Sequence, residues 1–260
     1  MAHAAPTAHP AGEGHAHVEE HHGSFMPLWL TIGTTIFLFG LLQPVLALVG
    51  FLIMAASVVG WIREDVHELS GKPFSTGSSE YLWGSIILIL SEVVLFGILF
   101  TFYFWSRAHT EDFIPRAILE MDMLPIYINT AVLISSGVTV EVAKWRLKKD
   151  DVKGFRIWMA LTILLGLIFL GGQVLEYSHL MHEGLTTTSS VYGTAFYSLT
   201  GVHGLHVLAG VIVLSLLFAL SFTGFVRKER LSGMEGAFLY WHFVDLIWVL
   251  VFSFIYLRVI

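Results

Sequence analysis

From Phe25 onward the chain is a succession of long apolar runs separated by short polar breaks. The runs predict helical spans at about residues 25–42, 44–62, 82–106, 124–143, 157–177, 191–223 and 236–257. Most reach the roughly 20 residues that cross the hydrocarbon of a bilayer. The stretch 25–62 is too long for one crossing. A single helix of about 36 residues would extend about 54 Å, against about 30 Å of hydrocarbon. Pro44 interrupts it, and a mid-run proline breaks or kinks a helix. The reading is therefore a tight two-helix hairpin turning at Gln43–Pro44. Before it lies a polar tail, residues 1–23, with His3, His9, His15, His17, His21 and His22 among Ala, Gly and Pro. A segment of that composition buries no core and is expected to be a disordered cytoplasmic tail. Residues 24–260 form the membrane domain.

Composition turns the pattern into a class. The chain is 55% hydrophobic and 13% charged, with mean hydropathy +0.74. Soluble domains are about 25% charged. The expectation is an all-α integral membrane protein of seven spans. A net charge of −6 supplies no basic stripe, so nucleic acid is not a partner. With no cysteine, disulfides, thiolate-bound clusters and Cys-ligated copper are excluded. No lysine or arginine precedes Arg63, so the tail does not read as a signal peptide.

Basic residues set the orientation. Arg63, Lys72, Lys144, Arg146, Lys148, Lys149, Lys153, Arg156, Arg227, Lys228 and Arg230 fall on one side. Only Arg107, Arg116 and Arg258 fall on the other, beside the acidic stretch 107–123. The expected topology places the N-terminus in the cytoplasm and the C-terminus outside. No internal repeat supports an inverted-repeat transporter.

Polar residues inside the spans are the candidate chemistry. In "TGVHGLHVLAGVIVL", His203 and His206 are three residues apart, close to one helical turn. Metal ligation, proton transfer, headgroup contact and helix packing are all open to such a pair. Glu92 lies mid-span in "SEVVLFGILF", where an ionisable group is costly and a functional candidate. In "YWHFVDLIWVLVF", His242 and Asp245 share the same spacing, which makes His242 the first candidate partner for Asp245. Together with His203 and His206 they supply enough ligands for a metal on paper. Small and hydroxylated residues in 124–143 predict close helix contacts, as do Gly201, Gly204 and Gly210. Glu176 and Tyr177 read as an interfacial carboxyl and a belt tyrosine.

The motifs taken together resemble subunit III of the haem–copper oxidases, the cytochrome c oxidase type. The matching stretches are "WIREDVHE", "SEVVLFGILFTFYFW", "LPIYINTAVLISSGVTV", "LEY", "YGTAFYSLTGVHGLHVLAGVIVL" and "EGAFLYWHFVDLIWVLVFSFIY". Their order and spacing, rather than any one of them, carry the likeness. The resemblance implies a two-helix hairpin set apart from a five-helix bundle by a lipid-filled cleft. It implies a non-catalytic core subunit of an aa3-type oxidase that supports subunit I, proton uptake and lipid retention. On this chain it implies no catalytic residue, no metal and no redox cofactor; haem and copper belong to partner subunits, and phospholipid is bound. Partners are subunit I directly, subunit II and other respiratory subunits. The location implied is a prokaryotic plasma membrane. Glu92 matches a buried carboxylate near the proton-uptake side. Trp61, Arg63, His67, His206 and Arg227 are candidate lipid contacts. His203, His242, Asp245 and Glu235 are a candidate structural polar network. Departures from the family pattern are His67 in place of an arginine, and Lys144–Trp145 in place of a histidine pair. The other readings are subunit III of a quinol oxidase or nitric-oxide-reductase-type complex, a proton-coupled carrier using Glu92, and a stand-alone membrane metalloenzyme.

Overall fold

The computed structural model describes residues 25–40, 43–69 and 78–257. The histidine-rich tail, Lys72 and Arg258 lie outside the described residues. The described chain is helical and forms two compact units, Met1–Pro73 and Phe74–Ile260.

In the first unit, α1 (Met26–Gly40) and α2 (Pro44–Leu69) are joined by a short connection. Pro44 does not kink a continuous helix. It opens the second one, where its missing N–H costs nothing. The two helices run antiparallel in close contact. A Cβ at Gly50 would strike the backbone of Phe37, one at Gly33 would lie 2.8 Å from the Met54 nitrogen, and one at Gly60 would lie 2.7 Å from the Met26 sulfur. Small residues let the two backbones approach. Expected to end near residue 62, α2 continues to Leu69.

The second unit comprises α3 (Ser78–His109), the single turn α4 (Arg116–Leu119), α5 (Leu124–Lys148), α6 (Val152–His182), α7 (Val191–Leu220) and α8 (Leu231–Val251). A π-helical turn, Phe252–Tyr256, extends α8. Helix α8 packs on α3, α5 and α7; α6 packs between α5 and α7, and α3 also meets α7. Five helices of this unit are long and apolar enough to cross a membrane. Several exceed the expected spans, because polar ends extend them. Asp151 caps α6 by accepting from the Gly154 N–H at 2.8 Å, and the helix begins at Val152, five residues before the expected start. Ser190 caps α7 through the Gly193 N–H at 3.0 Å. Arg146 and Lys148 close α5, where cations suit the negative end of the helix dipole.

The outer surface is apolar, over a core that is itself mostly apolar. Leu175, Ile157 and Leu205 face outward at 73%, 69% and 66% exposure, while polar side chains sit within. Trp241 and Trp248 fill the centre, each donating its indole N–H at 3.1 Å, to Ser136 Oγ and Thr130 Oγ1 respectively. The Thr139 and Thr162 hydroxyls join α5 to α6 at 2.7 Å, and Asn129 Nδ2 donates to the Phe169 carbonyl at 3.1 Å.

One packing expectation needs correction. Gly210 does allow close approach, since a Cβ there would lie 2.7 Å from the Trp241 ring. Gly204 does not: a Cβ there would meet nothing within 4 Å, and one at Gly201 would meet only the Tyr177 hydroxyl at 3.8 Å. The α7–α8 seam winds around α7 with the helical pitch, so only one of the three glycines lies on it.

Candidate functional site

Helices α3, α7 and α8 bring one polar group to mid-membrane. Glu92 lies on α3, His206 on α7 and Tyr240 on α8, each more than two turns from its helix end. His206 Nε2 lies 2.9 Å from Glu92 Oε2, and both side chains are largely covered, at 15% and 22% exposure. The other ring nitrogen, Nδ1, sits 2.7 Å from the Val202 carbonyl oxygen. A carbonyl only accepts, so Nδ1 carries a proton. One further proton then serves the Nε2···Oε2 contact, resting on the carboxyl or on the ring. Either placement completes the hydrogen bond, so the pair is satisfied without water. Tyr240 donates to the His206 carbonyl at 3.3 Å, and its ring lies nearly parallel to the imidazole. Phe96 approaches the imidazole edge-on at a centroid distance of 5.0 Å. Together these contacts hold the imidazole in one orientation.

The two histidines of the opening motif part company. His203 is fully buried, stacked on Trp248 at 5.1 Å and met edge-on by Phe169 at 5.9 Å. Neither of its ring nitrogens has a hydrogen-bond partner among the described residues. Three residues are about 300° of helical turn, enough to send His206 to α3 while His203 turns into the core.

His242 and Asp245 do not pair with each other, contrary to the spacing argument. His242 Nε2 contacts Glu141 Oε2 at 3.3 Å, reaching from α8 to α5. Asp245 Oδ1 is buried without a partner among the described residues. Its Oδ2 packs over Gly137 on α5. Glu235 faces Lys144 at 3.9 Å. The four residues expected to form one network thus have separate neighbours. Glu141 was missed because a carboxylate near the basic end of α5 reads as an ordinary interfacial charge.

Glu176 is more than the interfacial carboxyl its position suggested. Tyr256 donates to Oε1 at 2.6 Å and Gln173 Nε2 donates to Oε2 at 2.9 Å. Tyr177 meets the Thr200 hydroxyl at 2.7 Å, tying α6 to α7. The π turn at 252–256 carries Tyr256, a feature that apolar periodicity does not reveal.

The lipid-contact candidates are spread over both units. On the first, Trp61 and Arg63 are exposed near the end of α2. His67 belongs to α2, but its side chain lies outside what the structure describes. On the second, Arg227 is exposed beside Lys228 and Arg230, its Nε donating to the Gly224 carbonyl at 2.8 Å. His206 is committed to Glu92 and Val202.

Among the described residues, no three His, Asp or Glu side chains converge in a way that could hold a metal ion. His203 is enclosed by aromatic rings and His206 uses both nitrogens within the bundle. Neither ring presents a nitrogen to open space.

Apolar outer faces, hydroxyl-bonded seams and a satisfied mid-span Glu–His pair define a multi-pass helical membrane protein built for packing. The family model described as cytochrome c oxidase subunit III matches residues 19–259, and the chain belongs to that family. It is 38% identical to the probable cytochrome c oxidase subunit 3 of Nocardia farcinica, over 66% of this chain and 85% of that one. The corresponding figures are 38%, 67% and 85% for cytochrome c oxidase subunit 3 of Thermostichus vulcanus. For that of Corynebacterium diphtheriae they are 39%, 66% and 85%. The protein is an oxidase subunit of respiratory electron transport, part of a multi-subunit complex.

Proposed function

We propose that this chain is a supporting subunit of its oxidase, carrying no redox centre of its own. It stabilises subunit I, sustains proton uptake and retains phospholipid, while haem and copper reside on partner chains. The observation that carries this reading is the Glu92–His206 pair. The one mid-membrane carboxyl of α3 is held by an imidazole that is itself bonded to the backbone. Such a group braces two helices and leaves no free valence for metal or substrate. The absence of cysteine points the same way.

Phospholipid headgroups are held at the exposed cations. Arg63 with Trp61 suits a phosphate on the first unit, and Arg227 with its basic neighbours suits one on the second. A guanidinium bonds phosphate oxygens directly, and indole favours the interface. The membrane is a prokaryotic plasma membrane, with the cation-rich side inside.

Oxidase purified with and without this chain tests the proposal. Removal should leave the initial rate of oxygen consumption nearly unchanged, speed the loss of activity during sustained turnover, and reduce bound phospholipid. Immediate and complete loss of oxygen reduction with the remaining subunits intact would contradict a supporting role.

A further inference from the structure

The seam between α5 and α8 opens outward into a groove of about 810 Å³. Its walls are Ile134, Val138, Leu246 and Val249, exposed at 46%, 63%, 58% and 40%. Its floor is polar: Glu141, His242 and Asp245 line it beside Gly137. Glu141 and His242 contact each other at 3.3 Å yet keep 56% and 41% of their side-chain surface exposed. Asp245 has no hydrogen bond to any described residue, and with Oδ1 buried, Oδ2 over Gly137 is the oxygen left for the groove. Every other carboxyl described above inside the second unit has a partner: Glu92 has His206, Glu176 has Tyr256 and Gln173, and Glu235 has Lys144.

We infer that this groove docks a transmembrane helix of a neighbouring oxidase subunit, one that brings a hydrogen-bond donor to Asp245. The inference rests on the reading above, in which the chain is seated in an oxidase complex, and it assigns the surface used. Three features select the occupant. Asp245 is at least about 15 Å from either end of the span Lys228–Tyr256, at about 1.5 Å per residue. A phospholipid headgroup does not reach that depth, and an acyl chain offers nothing to a carboxyl. Leaving a carboxyl unpaired in hydrocarbon is costly, so a hydrogen-bonding partner stabilises it there. The groove is acidic where it is polar, so the complementary group is a cationic or neutral N–H or O–H side chain. Gly137 keeps the floor low enough for another helix to approach, as small residues do in membrane interfaces. Glu141 and His242, with His242 about one turn before Asp245 on α8, give the incoming helix a second polar contact.

Photocrosslinking in the assembled oxidase tests this directly. A benzophenone-bearing residue replaces Val138 or Leu246 in the groove, and Ile157 or Leu164 on the far side of α5, on α6, as controls. Native size confirms assembly for each variant, which checks the underlying reading separately. Groove positions should give adducts with another oxidase subunit, and control positions should give lipid adducts. Asp245→Leu should lower recovery of the chain in the complex several-fold, and Asp245→Asn, which keeps an acceptor, should restore most of it. Lipid-only adducts at Val138 and Leu246 in complexes of full size would overturn the inference. So would subunit adducts confined to Ile157 and Leu164.

Discussion

Glu92 and His206 lie 114 positions apart, so no spacing rule connects them. Each was legible alone, because an ionisable group within an apolar run stands out. Their pairing was not, since it depends on the rotation of α3 against α7. The same limit explains His242, whose partner proved to be Glu141 on another helix rather than Asp245 one turn away. Local spacing identifies residues that share a face, and tertiary packing decides what that face meets. The geometry fixes how Glu92 should respond to substitution. With a neutral ring whose Nδ1 donates to Val202, Nε2 is left to accept, and the amide N–H of Glu92→Gln can donate to it. Glu92→Leu cannot. A side-chain hydrogen bond between membrane helices is worth about 0.6 kcal/mol on average and up to about 1.7 kcal/mol. Thermal unfolding of the purified complex should therefore place Glu92→Gln near the parent and Glu92→Leu lower by about that amount. Initial oxygen consumption should persist in both. If Glu92→Gln alone stopped oxygen reduction in an assembled complex, a packing role would be untenable.

At the level of helices, the apolar runs disclosed the spans, because hydrocarbon length leaves little choice. Their ends were less visible. Helices α3, α5 and α6 continue into polar sequence, held by the Asp151 cap and by basic residues near the interface. The π turn after Val251 and the single turn α4 have no periodic signature at all. Glycine was an uneven guide. Gly204 and Gly210 look equivalent in sequence, yet only Gly210 touches Trp241. Gly210→Leu should thus force Trp241 aside and destabilise the bundle by about 1–3 kcal/mol, the usual cost of overpacking. Gly204→Leu should shift stability by less than about 0.5 kcal/mol, as surface changes do. Side-by-side unfolding of the two variants checks the seam, and equal losses would show that α7 and α8 pack differently. A second test concerns Ser136. Ser136→Ala leaves the buried Trp241 N–H without its acceptor, which should cost about 1–3 kcal/mol. Ser135→Ala should cost much less, because the Ser135 hydroxyl is exposed and bonds only its own helix.

For the whole molecule, membrane class followed from composition and family from the order of motifs, and the match over residues 19–259 agrees. What neither composition nor motif order conveys is how the mid-membrane polar groups are spent. Most are used within the bundle, on Glu92–His206, Glu176–Tyr256 and the indole–hydroxyl bonds of α5 and α8. Two groups are not: His203, a buried ring held by aromatic stacking, and Asp245, whose Oδ1 is buried without a partner among the described residues. The mid-span imidazoles His203 and His206 are enclosed or engaged within the bundle, which supports the proposal that the chain braces its complex. Haem and copper content per oxidase, measured together with oxygen consumption before and after removal of this chain, tests that claim most directly. The account predicts unchanged haem and copper per remaining complex, a nearly unchanged initial rate, and faster inactivation during turnover. Loss of one equivalent of haem or copper together with the chain would contradict it.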